Sequence, residues 1–239
     1  MANDILAWNG SNWTTNPKRI YGWNGSTWAT DIQKVYAWNG SAWVQIWTLS
    51  DPITITVNPT WCCTFGESHQ ERAQYTMTPL DASLYQGDWD SVGHPSGMQR
   101  VYGVMRFDSA AIVAAAGGRT VCSVMTLRLT TRAAYSGSGV IPSIWTSGVD
   151  PGSSAPSTLP SLGSFENQKI GVRADVGVTQ TLTFPDAVGS SMIVGGEKTL
   201  IAYNSGTSEA AKVDYRGVFY GTVDSSGVRP LLSITCDYV

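Results

Sequence analysis

Charge is scarce in this chain of 239 residues: Asp, Glu, Lys and Arg together make up 14% of it, against roughly a quarter in ordinary soluble domains. Long surface helices, which need charged side chains along their outer face, are therefore not expected. The 15 Lys and Arg form no cluster, and the net charge is -3. A phosphate backbone or an anionic bilayer would find no broad basic surface, so neither nucleic acid nor membrane is an expected partner. No apolar run approaches the roughly 20 residues that span a bilayer. The opening MANDILAWNGSNW lacks the basic, apolar and small-residue succession of a secretory signal. Synthesis in a cytoplasm, with any extracellular role reached by release, is the expectation.

Reactive groups are equally thin. The two histidines, His69 and His94, sit in no recognisable catalytic or metal-binding frame. Cys62, Cys63, Cys122 and Cys236 match neither a zinc site of paired C-x-x-C type nor a dense disulfide framework, and are expected as reduced thiols. Asp88 and Asp90 resemble the start of a calcium loop, but the twelfth position is Gln99, where such a loop needs a bidentate Glu. Catalysis would require a base beside a nucleophile, a metal cluster or a tuned carboxylate pair. An enzyme is not expected, nor a cofactor or a metal.

What the chain has in abundance is Trp, ten residues of it, together with Gly, Ser and Thr. WNGSNW, WNGSTW and WNGSAW begin at Trp8, Trp23 and Trp38, a fixed step of 15 residues, with Ile5, Ile20 and Val35 at equivalent places ahead of them. Asn-Gly suits a two-residue type I′ turn, so each copy reads as a tight hairpin. In the second copy that turn would set Trp23 opposite Ser26 and Tyr21 opposite Trp28. Because side chains alternate along a strand, Trp8 and Trp13, then Tyr21, Trp23 and Trp28, then Tyr36, Trp38 and Trp43 would each share a face. A ring buries about 150 to 250 Å², so leaving even three wet forgoes on the order of 10 kcal/mol. Copies of the same segment in other chains, arranged about a three-fold axis, are the expected cover. Two alternatives stand beside it: the hairpins fold back onto the rest of the chain, or the Trp faces are open platforms for sugar rings.

Beyond residue 50 the style changes, and a second domain is expected over 51–239, behind a repeat region over 1–50. ITITV from Ile53 alternates cleanly between punctuating prolines, and further strands are expected near 100–107, 121–130, 140–145, 180–184, 199–204, 212–220 and 230–238. One short helix is expected over Ala110 to Ala116, capped by Asp108 or Ser109 and stopped by Gly117-Gly118. The fold class is all-β: oligomerising hairpin repeats ahead of a jelly-roll-like β-sandwich. Residues 148–163, rich in Ser, Pro and Gly, read as a surface loop. Trp61, in a strand-like run, reads as core. A sugar packs its C–H face on an aromatic ring while polar neighbours take its hydroxyls. Trp89 with Asp88, Asp90 and His94 fits that pattern in an expected loop; Tyr135, Trp145 and Tyr203 echo it.

Two stretches, LYQGDWDSVGHPSGMQRVYGVMRFDSAAIVAAAGGRTVCSVMTLRLTTRAAYSGSG and RGVFYGTVDSSGVRPLLSITCDYV, resemble the C-terminal domain of minor tail proteins from long-tailed phages of actinobacteria. Tandem WNGSxW hairpins ahead of such a domain are similar to those proteins too. A broader likeness is to DNRLRE-type β-sandwich domains, carried by Phe107-Asp108, the strand from Val121 to Leu129, and Arg229-Pro230-Leu231. The resemblance implies a β-sandwich, a place at the tail tip of a virion and a role in attachment. The leading expectation is a receptor-binding module whose sandwich loops grip a host cell-wall polysaccharide, with other phage tail proteins as further partners. It brings no catalytic residues. Gln86-Gly87-Asp88-Trp89-Asp90 stands where the family has a more aromatic tip. A purely structural tail component and a glycan depolymerase are the competing functions.

Overall fold

The computed structural model describes residues 6–8, 11–15, 20, 22–23, 25–29, 32, 34–48, 52–68, 74–77, 83–89, 99–133, 141–156, 161, 163–164, 166–202, 217–222 and 226–237. Each WNGSxW copy is a two-stranded antiparallel hairpin: β1 (Leu6–Trp8) with β2 (Trp13–Thr15), β3 (Gly22–Trp23) with β4 (Trp28–Ala29), and β5 (Lys34–Trp38) with β6 (Trp43–Thr48). The register corrects the expected turn. Trp8 lies opposite Trp13, Trp23 opposite Trp28 and Trp38 opposite Trp43, so each loop has four residues rather than two. The side-chain period of a strand is two, and the pairing differs from the expected one by two residues. The two Trp of a copy therefore still share a face. None of these six strands joins another sheet.

The remaining twelve strands form one hydrogen-bonded network folded into two facing layers, and the chain is all-β with two short helices among the described residues. One layer runs β7 (Ile53–Val57), β18 (Leu231–Asp237), β12 (Val121–Ala133), β15 (Thr179–Phe184). The other runs β9 (Gln74–Met77), β8 (Trp61–Ser68), β11 (Gln99–Arg106), β16 (Thr199–Ala202), β13 (Ser143–Ser147), β14 (Glu166–Ile170). The layers are joined through β10 (Ser83–Trp89) and β17 (Gly217–Tyr220): β10 pairs with the start of β11 and with β17, and β17 pairs with the end of β12. Alternation does the sorting. Leu127, Leu129, Leu232, Ile234, Leu182 and Phe184 turn into the space between the layers and meet Met105, Leu84, Leu200 and Phe219 there.

Gln86 is the polar exception inside. Its side chain is buried, donates to the Ile141 carbonyl and accepts from the Ser143 N–H, tying β10 to β13. Both amide ends are thereby satisfied, which is the condition for burying such a group without a large penalty. Gly103 of β11 marks a close approach. A Cβ there would stand 2.3 Å from Leu84 Cδ2 and 2.7 Å from the Tyr85 carbonyl oxygen, so only glycine lets β10 pass.

The second layer is apolar on its outer face as well. Trp61, Cys63 and Phe65 of β8 pack with Tyr102 and Val104 of β11, Ile201 of β16 and the half-buried Trp145 of β13. This is why the run WCCTF does not alternate: its strand is covered on both sides. Trp61 is core, as read from the sequence. Its indole N–H donates to the Gly152 carbonyl at 3.0 Å, and Asp150 in the same segment receives the Arg106 guanidinium at 3.1 Å on both oxygens. Residues 148–156 form no strand or helix, and these bonds seat them on the layer.

The expected helix is α1 (Ser109–Ala116). Asp108 is its N-cap, its carboxylate accepting from the Ala111 N–H at 3.1 Å, and Gly117 closes it in a left-handed conformation. A second helix, α2 (Asp186–Ile193), corrects the expectation of a single one. Its sequence, DAVGSSMI, contains a glycine and two serines and reads as loop by propensity. Tertiary packing holds it: Val188, Met192 and Ile193 enter the core, and Gly189 fits flush on β12, where a Cβ would meet the Cys122 sulfur at 2.2 Å.

Candidate functional site

The third hairpin builds its exposed feature from its own loop upward. In the third copy the Asn39 side-chain oxygen accepts from the Ser41 N–H (3.0 Å), the Ala42 N–H (2.9 Å) and the Ser41 hydroxyl (3.0 Å). The Asn39 N–H closes the loop on the Ala42 carbonyl at 3.1 Å. Asn thus serves as a local clamp of the Asx type, while Gly40 alone takes the positive φ, at 100°. Gly25 repeats it in the second copy, at 99°. The clamp spends the Asn39 side chain on Ser41 and Ala42, within a loop of four residues that sets Trp38 and Trp43 opposite one another.

The rings then touch. Trp23 and Trp28 have centroids 5.6 Å apart with planes at 59°, and Trp38 and Trp43 lie 5.8 Å apart in an edge contact. That tilt sets the positive edge of one ring against the negative face of the other. All four remain open to solvent, Trp28 at 62% and Trp43 at 69% exposure, and Tyr36 extends the face in the third copy. The folding back of these hairpins beneath the sandwich, one of the two alternatives above, does not occur at these residues. Trp8 and Trp13 pair in the same register; their side chains, and Tyr21, lie outside the described residues.

The sandwich candidates are less assembled. Asp88 and Trp89 are the last residues of β10, opposite Arg100 and Gln99; the sequence placed them in a loop, and the backbone places them at a strand end. Asp90, His94, Tyr135 and Tyr203 lie outside the described residues. Trp145 stands in the middle of β13 against the outer apolar cluster, so its ring packs on protein.

Among the described residues no three His, Cys, Asp or Glu gather as metal ligands. All four thiols are free and buried. Burial pushes Cys122 up to about 11 and raises Cys62, Cys63 and Cys236 above the ordinary thiol value, which keeps them protonated and poor nucleophiles. Burial also raises the Glu197 carboxyl, with Glu166 adding to the effect.

One feature had no signal in the sequence. A cleft of about 420 Å³ opens at one end of the first layer, with Arg128 and Arg229 in its walls. These residues stand far apart in the chain and share no motif. Comparison with known protein families and with curated proteins finds no match for this chain.

Proposed function

We propose that this chain is a non-enzymatic attachment protein of a phage tail, a minor tail or receptor-binding component that engages a host cell-surface glycan in several copies. The observation that carries the reading is the threefold repetition of one hairpin in one register, two copies of which hold a Trp pair open to solvent. Four half-exposed indoles and Tyr36 leave on the order of 500 Å² of aromatic surface uncovered across two hairpins, and clustered open rings of this kind often mark a surface that meets a partner. At about 25 cal/mol per Å² its burial is worth on the order of 10 kcal/mol. Like chains supply that cover in a homotrimer, and the sandwiches are thereby presented together. Weak single contacts to a repetitive wall polymer then reinforce one another, because one bound copy raises the effective concentration for the next. The likeness to minor tail proteins of actinobacterial phages supports the virion tail tip as the setting.

The test is the molar mass of the full chain in solution beside its binding to a panel of actinobacterial cell walls. A trimer that binds wall polysaccharide without releasing reducing ends is the expected result. A monomer, or a trimer that ignores every wall fraction, would overturn attachment in favour of a structural tail part. Release of reducing ends would point to a depolymerase.

A further inference from the structure

We propose that the cleft holding Arg128 and Arg229 is a binding site for an anionic saccharide unit, recognised through its phosphate or carboxylate. The proposal deepens the attachment reading by naming the chemical class of the glycan, and it rests on that reading for the source of the ligand.

Arg128 lies between Leu127 and Leu129, both buried in the core, so the alternation of β12 throws it onto the outer face of the first layer. There it stands opposite Leu231 of β18 on one side and Thr181 of β15 on the other. Arg229 comes from the segment that leads into β18. That segment is held in place: the Asn58 amide, at the end of β7, donates to the Pro230 carbonyl at 2.7 Å, and Pro230 is buried. Its anchoring limits the backbone order that a ligand would have to impose.

Two arginines therefore share the walls of one cleft, and neither has a carboxylate partner among the described residues. The contrast with Arg106 is informative, since Arg106 is matched by both oxygens of Asp150. The chain carries 18 acidic residues against 15 basic ones, yet none of the described residues lining this cleft is acidic. Asp175, two residues before Gly177 of the rim, is not in its walls. Two cations in the walls of one cleft both favour an incoming oxyanion. The planar guanidinium fork matches a phosphate or carboxylate in two-point contact.

The rest of the cleft suits hydroxyls. Thr130 and Thr179 bond to one another at 2.7 Å through their side-chain oxygens. One hydroxyl hydrogen is used in that bond, and the other is left to donate to a ligand. Gly177 and Gly227 form an open rim, where even an added Cβ would meet nothing within 4 Å. The volume is that of a small-molecule site. No aromatic side chain lines it among the described residues, so a base or a neutral sugar finds no ring to stack on, and charge must supply the selectivity.

The full chain is titrated with glycerol 1-phosphate, glucuronate, methyl glucoside and a short single-stranded oligonucleotide, followed by ligand-observed NMR. One or both small anions saturate the wild type, the tighter of the two identifying phosphate or carboxylate, and methyl glucoside does not bind. R128Q and R229Q each weaken the anion roughly tenfold, with the melting temperature unchanged because both side chains are exposed. Added salt weakens binding in the wild type. Absence of saturation by either anion, equal binding by the R128Q/R229Q double variant, or tighter binding of the oligonucleotide overturns the proposal. The same double variant is tested on whole cell walls. Anion binding without wall binding sinks the attachment reading and spares the site. Wall binding that the double variant retains in full, with no small anion bound, does the reverse.

Discussion

Tryptophan is used in two opposite ways along this chain. In the hairpins Trp43 is 69% exposed, whereas in the sandwich Trp61 is 7% exposed and its indole N–H is bonded to Gly152. Trp38 and Trp43 owe their position to the four residues between them, chiefly the Asn39 clamp and Gly40. Trp61 owes its position to strands brought in from across the domain. Local chemistry sets the geometry of the first group and leaves its surface open to a partner; long-range packing sets the second and uses the surface up.

The sharpest way to break this comparison is to truncate one Trp of each kind. Trp61→Ala removes a fully packed ring and should lower unfolding free energy by about 3 to 5 kcal/mol in urea titration. Next comes the buried amide that joins β10 to β13. Gln86→Leu strands the Ser143 N–H and the Ile141 carbonyl and should cost about 2 to 3 kcal/mol, with m unchanged.

A smaller effect comes from the pair that seats residues 148–156. Asp150→Asn should cost about 1 kcal/mol. The hydrogen bond from Arg106 holds the Asp150 carboxyl below its ordinary value, so the folded form binds its proton less readily than the unfolded one. That contribution is full above the ordinary carboxylate range and is lost as pH falls through the lowered value; the difference between wild type and variant should shrink on acidification. The smallest effect on the sandwich belongs to Trp43→Ala, under about 0.5 kcal/mol in the main unfolding transition, with a fall in the molar mass of the assembly. A loss as large as that of Trp61→Ala would mean that the hairpin rings are structural in the single chain, and the contrast would collapse.

The same division explains what could be read in advance. The shared face of each Trp pair was legible because it follows from strand parity alone. The pairing itself was not, because the Asn39 side chain bonds to residues 41 and 42 instead of leaving the turn to Asn-Gly. Helix α1 carries its cap, its alanines and its stop within a dozen residues, all legible. Helix α2 is held by Val188, Met192 and Ile193 against the core, which no local pattern announces. β14, with the polar sequence ENQKI, lies at a layer's edge with little to alternate. The two-arginine cleft joins β12 to the approach to β18, and only the folded arrangement brings them together. The thiols were expected to be reduced, and they are free in the structure.

The layer that carries Arg128 also constrains how the protein is made. β18 sits between β7 and β12, and Ile53 at the start of the sandwich lies opposite Cys236 near its end. Among the described strands β7 has no other neighbour. In a growing chain β7 therefore has no partner among the described strands until Leu231–Asp237 has been made. Chains arrested short of residue 231 are accordingly expected to aggregate, since they leave the edges of β7 and β12 that β18 would pair open to the wrong neighbour.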